Sequence, residues 1–414
     1  MSGQPIVIVG AGHAGCQLAF SLREGGFDGR IVLLDGEGVP PYQRPPLSKA
    51  FLSGAIDEQA LQFKSADYWA RHGIERVEAS AVAIDRPALT VQLSTGQSLG
   101  YGHLVLAMGG LNRELPVPGR ELDGVHVLRT LADAKRLRPA LASARQVAVV
   151  GAGFIGLEFA AVAAKAGLPV TVFEALDRPL ARAASPALSA FVHQAHEGWG
   201  VRWQLGSGVR EIRGASGRVA GVVDAQGTEH AADLLVYGIG VRPNAGLAQD
   251  AGLAVEDGIV VDEQLLSSDP AISAIGDIAA FPCGFAGGCA RGRRMRIESV
   301  QNALDQARCV AARLLGRGQP YRAWPWFWSD QGDRKLQIVG LPSLCDQHVV
   351  VSSVPPPQAI VLGFAGGRLA AVETVNRPAD HLLARKLLAQ GRELDVATAS
   401  APGFDFKAWG ITAA

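Results

Sequence analysis

Two stretches of this chain carry three glycines at one spacing: Gly10, Gly12 and Gly15, and again Gly151, Gly153 and Gly156. Each set follows four apolar residues (Ile6 to Val9, Val147 to Val150) and precedes a helix-forming run. In that setting G-x-G-x-x-G cradles a pyrophosphate. The first glycine makes the tight turn, the second admits the phosphate to the backbone, and the third lets the helix close on the strand. The helix then aims free N–H groups and its positive end at the anion. An acid ends the next strand in both cases, Asp35 after Arg30 to Leu34 and Glu174 after Pro169 to Phe173. Either can accept ribose hydroxyls, and Glu174 should also repel a 2′-phosphate, favouring NADH over NADPH. Arg178 and Arg182 follow without adjoining that acid. One such motif is weak evidence. Two of them point to a pair of dinucleotide sites, in which one cofactor stays bound while the other visits.

The elements that must position these residues read as follows. Helices are predicted over Ala14 to Glu24 and Leu157 to Ala166, and short strands over Ser80 to Asp85, Thr90 to Leu93, Tyr101 to Gly110, Ala232 to Gly240 and Gly258 to Val261. Between them, Pro40 to Lys49 holds four prolines and begins as an ordered loop. Its Arg44 and Lys49 suit either a place beside a flavin or a solvated turn. Leu115 to Gly119 reads as a boundary. The second glycine unit is therefore inserted into the first. Ile272 to Asp277 gives strand, glycine and acid, with Asp277 either holding a ribityl hydroxyl or capping a helix. A long amphipathic helix is predicted over Ile297 to Leu315. From Pro320 the character changes, with Trp324, Trp326 and Trp328 close together, then strands at Leu336 to Val339, Val349 to Ser352, Ala359 to Phe364 and Leu369 to Val375, and a helix near Asp380 to Ala389. The expected division is 1–114 and 244–320 for the first unit, 115–243 for the second and 321–414 for an α+β domain.

The 414 residues contain 39 Lys plus Arg and 39 Asp plus Glu, so no global field draws in nucleic acid or an anionic membrane. Glu158 and Lys165 interrupt the most apolar helix, and no run is long enough to span a bilayer. A cytoplasmic chain is expected. Its five cysteines form no C-x-x-C, and neither metal-ligand spacing nor a G-x-S-x-G elbow is present. Cys283, Cys289 and the basic run Arg291, Arg293, Arg294 and Arg296 lie in a glycine-rich segment. That run reads as a solvated face or as a docking patch for an acidic protein.

Gly10 to Gly15, Arg44-Pro-Pro-Leu-Ser-Lys49, Tyr101 to Gly110, Leu128-Arg129-Thr130, Gly151 to Glu158, Gly276-Asp277, Glu298 to Asn302 and Pro325 to Asp330 together carry a family likeness over nearly the whole chain. The sequence resembles the FAD-dependent, NADH-using ferredoxin reductases that serve bacterial haem monooxygenases. The resemblance implies an α/β chain with two nested Rossmann-like dinucleotide-binding domains and a C-terminal α+β domain, in a glutathione-reductase-like architecture. It implies tightly bound, non-covalent FAD held by Gly12, Ala14, Asp35, Arg44, Lys49, Arg129, Asp277, Val300 and Trp328, with the backbone near Ala81 and Val82 against the adenine. It implies NADH contacts from Gly153, Phe154, Ile155, Gly156, Glu158, Glu174 and Gly240, and a ferredoxin-docking face near Arg308. One departure is Ala107-Met-Gly109, where the family usually has Ala-Thr-Gly.

The implied reaction is hydride transfer from NADH to flavin N5, then single-electron delivery to a small acidic 2Fe–2S ferredoxin. Lys49, paired with Glu158, would tune the N5 region. One rival is a disulfide- or peroxide-reducing NADH flavoenzyme, which needs a redox cysteine beside the flavin. Another is a redox flavoprotein scaffold similar to apoptosis-inducing factor.

Overall fold

The computed structural model describes residues 3–283, 293–351 and 354–412. Ile6–Val9 is fully buried and lies at the centre of a five-stranded parallel sheet. The spatial order is Ile272–Ala274, His103–Leu106, Ile6–Val9, Ile31–Leu34 and Ile74–Val77. A parallel strand covered on both faces has no solvent side, which is why the central runs Ile6–Val9 and Ile31–Leu34 are apolar throughout, while the edge strand Ile74–Val77 carries Glu75 and Arg76. A second parallel sheet is built the same way, in the order Val201–Leu205, Val170–Glu174, Val147–Val150, Leu234–Tyr237 and Val125–His126. The chain leaves the first sheet after Leu106, builds the second, and returns with Ile272–Ala274 to pair beside His103–Leu106.

The helix His13–Glu24 packs on Val300–Leu314. Ala303, Ala307 and Ala311 recur every four residues and let the backbones approach closely. The C-terminal sheet is antiparallel, in the order Trp326–Gln331, Arg334–Gly340, Arg368–Val375, Ala359–Ala365 and Gln347–Val350. The helix Pro378–Ala389 covers it through Leu387 and Leu388.

Several boundaries differ from the sequence reading. The long helix begins at Val300 instead of Ile297, because the Ser299 hydroxyl accepts the Asn302 N–H at 3.0 Å and stops it there. Pro45–Ser48 forms a short 3-10 turn within the proline loop, with its prolines in the first turn where a missing N–H does no harm. Leu131–Ser143 was not foreseen as a helix despite its Thr130–Asp133 capping box; Pro139 lies inside it, and Leu131, Ala134, Leu137 and Leu141 bury one face. Trp326–Gln331, read only as an aromatic cluster, is a strand.

Glu373, on Arg368–Val375, is an unusual member of this core. It is 1% exposed, and its Oε1 accepts the Ser185 N–H at 2.9 Å while its Oε2 has no partner among the described residues. Burial pushes its carboxyl from 4.5 up to about 7. A raised acid favours the folded state below its ordinary value, and that advantage is lost as pH rises through 7. The E373Q variant does not titrate there. Its stability relative to the parent should therefore increase by roughly 2–3 kcal/mol between pH 4.5 and pH 8. Thermal melts at the two pH values check this, and an equal offset at both would contradict it.

Candidate active site

The two glycine turns have one geometry. A Cβ at Gly10 (φ +109°) would meet the Ala107 carbonyl oxygen at 2.6 Å, and one at Gly15 would meet the Gly10 oxygen at 1.9 Å. The matching distances are 2.5 Å from Gly151 (φ +100°) to the Gly238 oxygen and 2.2 Å from Gly156 to the Gly151 oxygen. These four positions admit no side chain. The middle glycines differ: nothing lies within 4 Å of a Cβ at Gly12, and at Gly153 there is only a carbonyl at 4.0 Å. Each is the N-cap of the following helix, so each leaves open space in front of a helix N-terminus, where a phosphate fits.

Gly12 opens onto a cavity of about 710 Å³, within the range of small-molecule and cofactor sites. Its wall includes Gly12, Ala14, Asp35, Arg44, Lys49, Ala81, Arg129, Asp277, Val300 and Trp328, together with Ile155 and Glu158 from the helix after the second turn. Val82 is the exception among the residues expected there. It is 58% exposed and outside the wall, because successive residues of Ala81–Asp85 face opposite ways. Met108, in the unusual Ala-Met-Gly segment, also lines the cavity.

The charged groups on this wall are anchored from behind. Asp35 accepts the Glu37 N–H at 3.2 Å and pairs with Arg76 at 3.3 Å, while burial pushes its carboxyl up. Arg44 pairs with Glu37, donates to the Arg129 carbonyl at 2.8 Å and lies over the Tyr42 ring. His13, at the start of the first helix, is lowered to about 4 by burial and by the neighbouring Arg44 charge. It is therefore neutral at pH 7. Asp277 lies inside the turn Gly276–Ile278, whose N-cap is Ile275, so the capping role is excluded. Burial pushes its carboxyl up to about 6, against the Arg129 guanidinium 3.9 Å away. Gln306 accepts the Gly276 N–H at 2.7 Å and Arg296 donates to the Asp277 carbonyl at 3.1 Å, fixing the backbone beneath it.

Lys49 and Glu158 meet at 2.7 Å. Glu158 is 2% exposed and also accepts from the Ser48 and Ser329 hydroxyls. Ser329 was missed in the sequence, although it lies within the quoted Pro325 to Asp330 motif.

Gly153, Phe154, Gly156, Glu174 and Gly240 lie off this cavity, around the second turn. Phe154 packs against Phe327, which does line the cavity, with ring centroids 4.3 Å apart and the planes inclined at 42°. Both Glu174 oxygens accept backbone N–H groups, from Ala152 at 2.7 Å and Leu176 at 2.9 Å. Arg178 is committed to the Ala184 and Ala181 carbonyls. Arg182 approaches Gly240 (φ +106°).

Cys289 and Arg291 lie outside the described residues. Arg294 pairs with Glu256 at 2.7 Å and Arg296 with Glu298 at 2.6 Å, so much of the charge in the described part of that stretch is balanced within the chain. Arg308 remains 56% exposed beside Asp305. Cys16 is buried, donates to the Ala11 carbonyl, and has its thiol pushed up by burial. Among the described residues, no cysteine lines the cavity wall.

Residues 4–307 match the family model described as pyridine nucleotide-disulphide oxidoreductase, and residues 326–409 match a reductase C-terminal domain. The chain belongs to the pyridine nucleotide-disulphide oxidoreductase family. It is 49% identical to rhodocoxin reductase of Rhodococcus erythropolis over 97% of this chain and 93% of that one. It is 40% identical to putidaredoxin reductase of Pseudomonas putida over 92% and 91%. Among solved structures, a ferredoxin reductase from Rhodopseudomonas palustris superposes with a TM-score of 0.94 at 46% identity, covering 98% of this chain and 100% of that one. The reductase in a covalent putidaredoxin reductase–putidaredoxin complex gives 0.94 at 38%, covering 100% and 99%. The nested α/β architecture with its C-terminal domain is the fold of this group.

The middle glycines separate the two sites by experiment. G12V has room to fold but fills the first cradle, and G153V does the same to the second. G12V should retain the parent's circular dichroism and bind FAD at least ~100-fold more weakly. G153V should purify yellow and raise the NADH requirement about 10-fold or more. FAD titration and NADH saturation curves check both.

Proposed function

We propose that this chain is an FAD-dependent reductase that takes electrons from NADH and delivers them to a small acidic 2Fe–2S ferredoxin, which in turn serves a haem monooxygenase. One observation carries the reading. The cavity opened by the first glycine turn is walled by Ile155 and Glu158, which belong to the helix rising from the second. Two dinucleotides seated on the two turns would therefore meet in one cavity, at Lys49 and Glu158. The group to which the chain belongs includes ferredoxin and rubredoxin reductases using pyridine nucleotides, which supports the same reading.

The residues fit FAD. Gly12 and the N-terminus of Val300–Leu314 offer N–H groups to phosphate and ring oxygens, Asp35 suits a ribose, and Asp277 a ribityl hydroxyl. Arg44 and Arg129 would face the pyrophosphate, and Trp328 would shield an edge of the ring. When bound, the flavin accepts two electrons together and gives them up one at a time. The chain's part is to bind, orient and charge that site. The Lys49 ammonium, held by Glu158, would place positive charge at the cavity wall against a flavin that gains electron density on reduction. Glu174 would select the nicotinamide cofactor, using oxygens that now hold backbone N–H groups and can be shared with ribose hydroxyls.

Anaerobic mixing tests this. NADH should bleach the bound flavin faster than NADPH at equal concentration, and E174A should narrow the preference about 10-fold or more. Adding an acidic 2Fe–2S ferredoxin should restore the colour in one-electron steps, at a rate that falls as salt rises. Flavin that NADH leaves yellow would defeat the proposal.

A further inference from the structure

We propose that Ser329 and Gln331, on the C-terminal sheet, are positioning residues for the Lys49–Glu158 pair. A continuous line of hydrogen bonds leads away from Glu158. The Ser329 hydroxyl donates to Glu158 Oε1 at 2.6 Å, Gln331 Nε2 donates to Ser329 Oγ at 3.3 Å, and His196 Nε2 meets Gln331 Oε1 at 3.0 Å. Ser329, Gln331 and His196 are each no more than 1% exposed.

The carboxylate dictates the polarity of this line. An ionised carboxylate only accepts, so the single hydroxyl proton of Ser329 must point to Glu158. Ser329 Oγ then has only lone pairs for Gln331, whose amide must present Nε2. Its carbonyl is left facing His196, which must donate from Nε2. His196 Nδ1 is correspondingly a lone pair, and it has no partner among the described residues. Burial lowers His196 to about 4, so the ring is neutral and able to take that tautomer. Every donor along the line points toward Glu158.

On the other oxygen, Glu158 Oε2 takes Lys49 and Ser48. The Lys49 stem is flexible, and its other described contact is the Pro45 carbonyl at 3.1 Å. The orientation of the carboxylate therefore sets where the ammonium stands. A primary amide interrupts any simple proton path, because it would have to pass through its imidic acid tautomer. The line is suited to orienting Glu158, not to conducting protons from it.

The inference rests on the reading that FAD and NADH meet at Lys49 and Glu158. Its test is stopped-flow reduction of the holoenzyme by NADH. S329A should lower the limiting rate of flavin reduction about 10-fold, and Q331M, which keeps Ser329 in place, about 3-fold, with FAD content and NADH dissociation constant within about 2-fold of the parent. In an E158Q background the S329A effect should shrink below about 2-fold, because the line acts only through Glu158. Unchanged limiting rates in both single variants would overturn the proposal. So would losses that track FAD content or NADH affinity, or an S329A effect undiminished in E158Q. A parent holoenzyme whose flavin NADH fails to bleach would instead overturn the functional reading itself.

Discussion

Taking a carboxylate out of water is unfavourable by several kcal/mol unless its oxygens are fully engaged. Glu158 meets that condition only because separate parts of the chain converge on it. Lys49 and Ser48 come from the proline loop, Ser329 comes from the C-terminal sheet, and Glu158 itself sits one turn into the helix of the second glycine unit. Withdrawing any one of these parts leaves a buried charge underpaired. The carboxylate thus penalises every arrangement in which the three are not docked, and it does so at the point where both nucleotides are proposed to meet.

The paired glycine turns show how one backbone solution is given two uses. Their close contacts agree to within a few tenths of an ångström, yet their surroundings do not. Asp35 is 5% exposed and paired with Arg76. Glu174 is half-buried, and among the described residues the hydrogen bonds that hold it come from the backbone N–H groups of Ala152 and Leu176. A cradle whose acid is enclosed and charge-balanced suits a nucleotide that stays. One whose acid is held by exchangeable backbone bonds suits a nucleotide that comes and goes. The difference arises outside the motif, in a residue such as Arg76 that no spacing rule picks out.

Much of this was legible in the residues because it is local. Gly10 and Gly151 turn where they do from a four-residue apolar strand, and the insertion of one unit in the other follows from the order of such strands. Helix ends were less legible. Ser299 moved one boundary by a single hydrogen bond, and Leu131–Ser143 was obscured by Pro139 although its capping box was in plain view. The partners behind the site were not legible. Arg76 lies 41 residues from Asp35, and Ser329 lies 171 from Glu158, so tertiary packing alone brings them together. A signal did exist in Trp-Phe-Trp-Ser-Asp-Gln: at the strand period of two, Phe327, Ser329 and Gln331 fall on one face and Trp326, Trp328 and Asp330 on the other, so each face carries an aromatic and a polar part.

That period explains how the C-terminal sheet can serve the site at all. Along Trp326–Gln331, Phe327, Ser329 and Gln331 share a face, and they meet Phe154, Glu158 and His196 respectively. Trp326 and Trp328 share the other, with Trp326 against His381 and under Arg385. The antiparallel register Phe327↔Ile338, Ser329↔Leu336 and Gln331↔Arg334 holds this alternation in place. A one-residue slip would exchange the faces, removing the aromatic contact, the Glu158 donor and the amide together while driving indoles into their places. The strand is therefore specified as strongly by the helices of the second nucleotide unit as by its own sheet, and the C-terminal domain is a structural part of the site it covers.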